Sequence, residues 1–258
     1  MVYNSTIRLK KAYGQHFLQD QRIVQKILDM VPLGQASVFE IGPGGGVLTR
    51  AILTCPVKRL WAFEIDPEWA AHLQTTIKDE RLTIIQQDFL QADLMVLEKH
   101  KPWILLANLP YNITFPILHR LQQHRHLIQE GVIMVQDEVA LKLTKKSGRG
   151  FGASSLFFQY YFEWQLLDKI PPSAFNPPPK VFSRLMHFKP RFHVQEIPDE
   201  DKFWHFIKQC FAQPRRTLVN NLKQSTYAHT IPSAFKDKRA QQLTMHDFLT
   251  WWHQQHQH

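Results

Sequence analysis

The sequence predicts an α/β protein: an open, Rossmann-like, mostly parallel sheet with a small helical domain at its C-terminal end. Three observations carry this. Short apolar runs alternate with amphipathic stretches through the first half of the chain, the pattern of βαβ units around a parallel sheet. The chemically distinctive residues, Gly42 to Gly46, Glu64, Asp88 and Asn108, each stand just after one of those runs. Beyond Pro190 the alternation stops and helical periodicity replaces it.

Taken in order, residues 21–31 place Ile23, Val24, Ile27, Leu28 and Val31 on one helical face. ASVFEIGPGGG follows, a buried-strand pattern running into a glycine turn, and Leu48 to Leu53 opens a helix from that turn. LWAFEID (60–66) and LTIIQQD (82–88) are two further strands ending in acids, separated by a helical stretch from Glu68 to about Lys78. WILLANLPY (103–111) is a fourth strand, and GVIMVQDEV begins a fifth near Gly131. Residues 145–155, KKSGRGFGASS, are rich in Gly and Ser and basic, as a mobile loop would be. AFNPPPKV (174–181) cannot be helical, because consecutive prolines fix φ and lack N–H donors. Residues 202–222 and 238–253 have helical patterns. The expected division is residues 1–189 for the sheet domain and 190–258 for the helical one.

Of 258 residues, 44% are hydrophobic and 21% charged, enough apolar material for a sizeable core. The formal net charge of +9 favours a polyanionic partner, nucleic acid first. The two cysteines, Cys55 and Cys210, lie far apart without metal-ligand spacing, so neither a disulfide framework nor a metal centre is expected. The start lacks the apolar stretch of a secretory signal, and no run of 18 apolar residues occurs. The expected setting is cytoplasmic, away from membranes.

In an open α/β sheet, ligands bind outside the carboxyl ends of the strands, so four strand ends here point at one crevice. Gly42, Gly44 and Gly46 suit a tight turn and close backbone approach to a nucleotide-type cofactor. Glu64 stands where an acid accepts hydrogen bonds from a ribose diol, and Asp88 where one accepts from an adenine amine. Asn108-Leu109-Pro110-Tyr111 suits an amine nucleophile. The Asn108 side-chain oxygen and the Leu109 carbonyl could each accept one N–H, turning the nitrogen lone pair toward an electrophilic methyl. Pro110 fixes the backbone and Tyr111 offers a stacking face. Phe175 is a candidate for the opposite wall, with packing of the proline-rich loop as its alternative role. A base buried in a helix could not reach such a pocket without being unpaired or flipped out.

The chain resembles the small-subunit (16S) ribosomal RNA adenine N6,N6-dimethyltransferase family. The resemblance is carried by YGQHFL (13–18), FEIGPGGGVLT (39–49), FEID (63–66), QQDFL (86–90), NLPYNI (108–113), VQDEVA (135–140), AFNPPPKVFS (174–183) and FAQPRRTLVNNL (211–222). It implies a class I methyltransferase fold, S-adenosyl-L-methionine as donor, and two adjacent adenosines near the 3′ end of 16S rRNA as substrate. It also implies, as partner, the 30S subunit or its precursor, a role in small-subunit biogenesis, and a monomeric enzyme. Cofactor contacts then fall on His16, Leu18, Gly42, Glu64, Asp88 and Asn108; the family carries Asn or His at position 16. In the helical region Arg215 and Arg216 suit phosphate, and Asn220 and Asn221 sugar or base edges. Lys10, Lys11, Lys145, Lys146 and Arg149 would extend a basic track. His253, His256 and His258 form a tail that needs no ligand role. The competing readings are a large-subunit rRNA adenine methyltransferase of the antibiotic-resistance type, a ribosome-assembly factor that binds RNA without needing catalysis, and a DNA N6-adenine methyltransferase. FAQPRRTLVNNL favours the first-named family over the large-subunit reading, and the intact NLPY and acid set argues against binding alone. Leu109, where DNA enzymes of this kind usually carry Pro, together with the lack of room for a separate sequence-reading domain, argues against DNA.

Overall fold

The computed structural model describes Ile7, Lys10 and residues 15–255. Lys11, most of the YGQH segment's start, His256 and His258 lie outside the described residues. The chain divides into two compact units, residues 1–140 with 164–190, and residues 141–163 with 191–258. The second boundary falls where the sequence pattern changes. Residues 141–163, which the sequence pattern assigns to the sheet domain, belong to the second unit.

The first unit is built on one sheet. Its strands are β2 (Ser37–Ile41), β3 (Arg59–Glu64), β4 (Leu82–Gln86), β5 (Trp103–Asn108), β6 (Ile128–Gln136), β7 (Phe162–Ile170) and β9 (Ser183–Pro190), in the order β4-β3-β2-β5-β6-β9-β7. The pairs β2·β3, β3·β4, β2·β5 and β5·β6 are parallel, and β6·β9 is antiparallel. A two-residue strand β1 (Phe17–Leu18) pairs antiparallel with β8 (Phe175–Asn176) apart from the main sheet. All five residues of β2 are buried, as a strand covered on both faces requires. The apolar side chains of its flanks close the core: Ile23, Val24, Ile27 and Leu28 of helix α1 (Gln21–Asp29) pack with Leu48 and Ile52 of α2 (Val47–Thr54). α1 starts at Asp20, whose carboxylate accepts from Arg22 N, and α3 (Pro67–Thr76) starts at Asp66, which accepts from Glu68 N with proline at the first helical position.

The chain turns one way from β2 to β3 and the other way to reach β5. Strand order therefore reverses between β2 and β5, and the crevice opens beyond their carboxyl ends. The Gly42 turn and Asn108 both stand there. The strands β7 and β9 were not anticipated; β9 alternates buried and part-exposed residues, and only its antiparallel pairing with β6 gives the alternation a partner.

The second unit is helical, with α6 (Ala153–Tyr161), α7 (Glu200–Cys210), α8 (Leu218–Leu222) and α9 (Met245–Gln255). α5 (Asp137–Thr144) runs across the boundary between the units. The expected helix over 202–222 is two helices with a turn between them, and the expected loop over 145–155 ends where α6 begins at Ala153. The core of this unit is aromatic. Phe206 meets Trp251 edge-on at 4.7 Å and Trp252 face-on at 5.5 Å. Trp252 Nε1 donates to Pro198 O at 2.7 Å, and Trp204 Nε1 to the Tyr161 hydroxyl at 2.8 Å, so the buried indole donors are used rather than stranded.

Candidate active site

The turn after β2 is left-handed at Gly42 (φ 66°), Gly44 (φ 51°) and Gly46 (φ 77°), a conformation that side-chain-bearing residues adopt at a cost of about 1–2 kcal/mol. The three glycines do different things. Gly42 has open space where a Cβ would stand. At Gly44 a Cβ would fall 2.3 Å from the Phe17 ring, and at Gly46 2.5 Å from Leu73 of α3. Gly42 thus faces open space, Gly44 admits an aromatic ring, and Gly46 lets α2 and α3 close on each other.

A hollow of about 60 Å³ lies at the strand ends, walled by His16, Phe17, Gly42, Gly44, Glu64 and Ile65 on one side and by Asn108 to Tyr111 on the other. A smaller one of about 30 Å³ takes in Leu18, Glu40, Gly42 and Asn108. Glu64 is 4% exposed; its carboxylate accepts from Gly44 N and from Asp66 N, both at 2.9 Å. Burial pushes its carboxyl up against those two amide bonds. Glu40, 2% exposed, accepts from Thr49 Oγ1 at 2.7 Å. Burial and the nearby Glu64 push it up to about 8. Two buried carboxylates thus stand beside the glycine turn.

Across the hollow, Asn108 Nδ2 donates to His16 O at 2.8 Å. The amide is thereby oriented, leaving its Oδ1 as an acceptor. Leu109 N donates to Met134 O at 3.0 Å, and Pro110 O accepts from Thr114 Oγ1 at 3.0 Å, so the NLPY backbone is held from both sides. The Tyr111 hydroxyl meets Ser183 Oγ at 2.5 Å, and its ring stacks on His16 with centroids 5.7 Å apart and planes at 24°. His16 Nδ1 in turn lies 2.8 Å from Pro177 O. The proline-rich segment therefore positions His16, and His16 braces both Asn108 and Tyr111.

The structure brings together His16, Gly42, Gly44, Glu64 and the Asn108–Tyr111 run, with Leu18 on the smaller hollow. Asp88 does not line either hollow; it follows Gln87, whose N donates to Glu64 O at 3.0 Å, and its carboxylate accepts from Leu90 N at 2.9 Å and Gln91 Nε2 at 3.3 Å. Nor does Phe175, which is 4% exposed and packed in the hydrophobic core with Leu18, Val38 and Ile104. The alternation of β8 turns Phe175 inward and Asn176 outward, so the ring offers no face to a base. Glu40 and Ile65 were not anticipated. Their signals were an acid inside the apolar run SVFEI and an apolar residue, 42% exposed, directly after a strand-ending acid.

In the second unit, Arg215 and Arg216 are exposed and sit in the turn between α7 and α8, not on a helix. Asn221 is the staple of that turn. Its Nδ2 donates to Cys210 O at 2.9 Å and Gln213 O at 3.1 Å, and its Oδ1 accepts from Gln213 N at 3.1 Å. Its amide is engaged within the turn, so the structure gives it a bracing role there. Asn220 is exposed and donates to Thr217 Oγ1 at 3.0 Å. Lys145, Lys146 and Arg149 are exposed. Lys10 differs: its ammonium is held by Asp66 and Glu68, both at 2.8 Å, and those bonds raise its pKa. It is a brace for the start of α3 rather than part of a basic track. Among the described residues no cluster of His, Cys, Asp and Glu could hold a metal ion, and no helix is long and apolar enough to cross a membrane.

The sequence profile of a family described as ribosomal RNA adenine dimethylase matches residues 6–252. Proteins named ribosomal RNA small subunit methyltransferase A are similar over most of the chain. That of Mycoplasma mobile is 37% identical over 228 residues, covering 88% of this chain and 88% of its own. That of Syntrophotalea carbinolica is 40% identical over 223 residues, covering 83% and 82%. Among solved structures, a dimethyladenosine transferase from Plasmodium falciparum superposes with a TM-score of 0.77 at 22% identity, covering 92% of this chain and 96% of that one. The 23S rRNA methyltransferase ErmE superposes with a TM-score of 0.68 at 21% identity, covering 91% and 99%. At those identities the two structures establish the fold alone, that of a class I methyltransferase.

Proposed function

We infer the function from one premise: the chain belongs to the ribosomal RNA adenine dimethylase family. It dimethylates the N6 amine of adenosines in small-subunit rRNA, with S-adenosyl-L-methionine as donor, and works within the 30S subunit or its precursor as a monomer in the cytoplasm. The observation that carries this reading is the Asn108 amide, oriented by His16 O at the end of β5, lining one hollow with Leu109, the glycine turn and the buried Glu64. The names of the relatives support the small-subunit assignment, and the likeness in fold to a large-subunit enzyme does not discriminate between them.

The residues suit the donor. Open space at Gly42 allows the main chain to come close to it, Glu64 lies on the wall to accept from a ribose diol, and Ile65 offers an apolar surface for a purine. Glu40, held neutral by its burial, accepts from Thr49 and lines the smaller hollow. The Phe17 ring lies against Gly44 and lines the same hollow as Glu64. The donor supplies one thing, an electrophilic methyl group.

Everything else is orientation. The exocyclic amine of adenine is a poor nucleophile because its lone pair is delocalised into the ring. Accepting its two N–H groups at Asn108 Oδ1 and Leu109 O pins the nitrogen and directs the lone pair at the methyl. Leu109 N on Met134 O and Thr114 on Pro110 O keep those acceptors from drifting. Tyr111, braced by Ser183 and His16, holds the base plane. Alkylation makes the remaining N–H acidic, so the proton leaves to water without a strong base. The first methylation leaves one N–H to be accepted, which permits the second.

The test is methyl transfer from tritiated donor to isolated small and large subunits. Transfer to the small subunit alone is expected. Asn108→Ala should lower the rate by at least about 100-fold, the order lost when one oriented hydrogen-bonding group is removed from a reacting centre, with an unchanged melt. Near-normal turnover would sink the proposed role of NLPY, and transfer to the large subunit would overturn the substrate assignment.

A further inference from the structure

The second unit carries a groove of about 390 Å³ of its own, several times the hollow at the strand ends. We propose that this groove binds one unpaired nucleotide of the RNA, its base on an apolar floor and its phosphate at a basic rim. The proposal rests on the RNA substrate inferred above and adds a specific subsite to it.

The floor is Phe151 and Leu156, each 5% exposed. Phe151 is fixed from behind by Phe211, edge-on at 5.7 Å. Tyr160 of α6 lines the groove, and its hydroxyl donates to Gln195 O, so the ring cannot turn freely. It is further held edge-on by Tyr161 at 5.0 Å. A rigid aromatic beside an apolar floor accepts a base with little loss of side-chain entropy, and stacking on it is worth about 1–3 kcal/mol per base.

One polar group on the wall has a definite direction. Gln159 Nε2 donates to Leu143 O at 2.8 Å and to Lys145 O at 2.7 Å. Both amide protons are thus used, and only the carbonyl oxygen is left to meet a ligand. An acceptor fixed in this way suits the exocyclic amine of a base. Lys146 and Arg191 bring positive charge to the rim, the His193 imidazole lies beside them, and among the described residues no aspartate or glutamate lines the groove. Arg191 lies 3.4 Å from Glu163, both well exposed, a pair that solvent screens and a phosphate can displace. The volume falls within the range of about 300–1,000 Å³ usual for small-ligand sites. An acidic peptide would satisfy the rim but leave the floor and Gln159 unused.

The full-length chain is tested by fluorescence anisotropy with three labelled probes: a 5′-phosphorylated trinucleotide of adenosine, its abasic counterpart of equal charge, and a hexaglutamate peptide. Val194→Trp plugs the groove, and His193→Ala trims its rim; neither residue is buried. The adenosine probe is expected to bind at least about fivefold more tightly than the abasic one, the low end for one stacked base, and to lose that margin in Val194→Trp. His193→Ala should weaken both nucleotide probes alike. Melting curves establish that both variants are folded; should the tryptophan variant not fold, Val194→Met narrows the groove with a smaller side chain. Equal affinity for adenosine and abasic probes, an adenosine preference that the plug leaves unreduced in a folded protein, or peptide binding as tight as that of RNA would each overturn the proposal. Because these probes need no methyl transfer, an enzyme inactive on every subunit would refute the proposed function and leave this result to stand or fall alone.

Discussion

Replacing Glu40 with glutamine should change how the fold responds to pH. Glu40 sits in the central sheet, and burial moves its carboxyl from 4.5 to about 8. At neutral pH it is therefore mostly protonated in the folded chain, whereas the unfolded chain ionises it above 4.5. A folded pKa above the unfolded one gives stability that is complete below 4.5 and is lost as pH rises through 8. At about 1.4 kcal/mol per pH unit, the whole interval sets an upper bound of about 5 kcal/mol, reached only near pH 8 and above. Relaxation and water entry will lower it. Glutamine keeps an acceptor for Thr49 Oγ1, which Glu40 now engages at 2.7 Å, but has no charge to bury. Urea unfolding of both proteins at pH 5, 6, 7 and 8 measures the difference. The variant should match the parent near pH 5 and exceed it by a margin that grows toward pH 8. Glu64 is also raised by burial and is present in both proteins. Parallel curves across the whole range would refute the idea that Glu40 is held neutral.

Glu64→Ala should weaken binding of S-adenosyl-L-methionine by about 10-fold or more, the cost of a lost charge-assisted hydrogen bond, while subunit affinity holds; unchanged affinity in calorimetry would count against the ribose role. Gly44→Ala should lower stability by about 1–2 kcal/mol from its left-handed φ alone, and further because its methyl would meet the Phe17 ring; an unchanged melting temperature would mean that the turn is free to rearrange. Reversing Arg215 and Arg216 to Glu should weaken subunit binding and reduce the log–log salt slope by about 2, leaving cofactor affinity intact. A flat response would remove the pair from the RNA surface.

The fold was legible because the signals that define it are local. The parallel strands read as largely apolar runs closed by a glycine, an acid or, in β5, Asn108, and the crevice follows from where those runs end. The antiparallel edge was less visible: β7 interleaves exposed and buried positions, and its sheet partner lies across the proline-rich segment. The site was legible wherever a residue's role depends on its own strand end, as at Gly42, Glu64 and Asn108. It failed where the role is decided by a neighbour far along the chain. Phe175 has the right composition for a base-stacking wall, yet its pairing opposite Leu18 turns it into the core. Asn221 has the right composition for a sugar contact, yet three backbone groups of the preceding turn claim its amide. That last loss has a consequence for the arginine test. Because Asn221 fixes the turn on which Arg215 and Arg216 stand, Asn221→Ala should weaken subunit binding through disorder of the turn. It should leave the salt slope nearer to the parent's than the double reversal does, since no phosphate contact is removed. A slope that falls as far in Asn221→Ala as in the arginine variant would mean that the asparagine touches RNA after all.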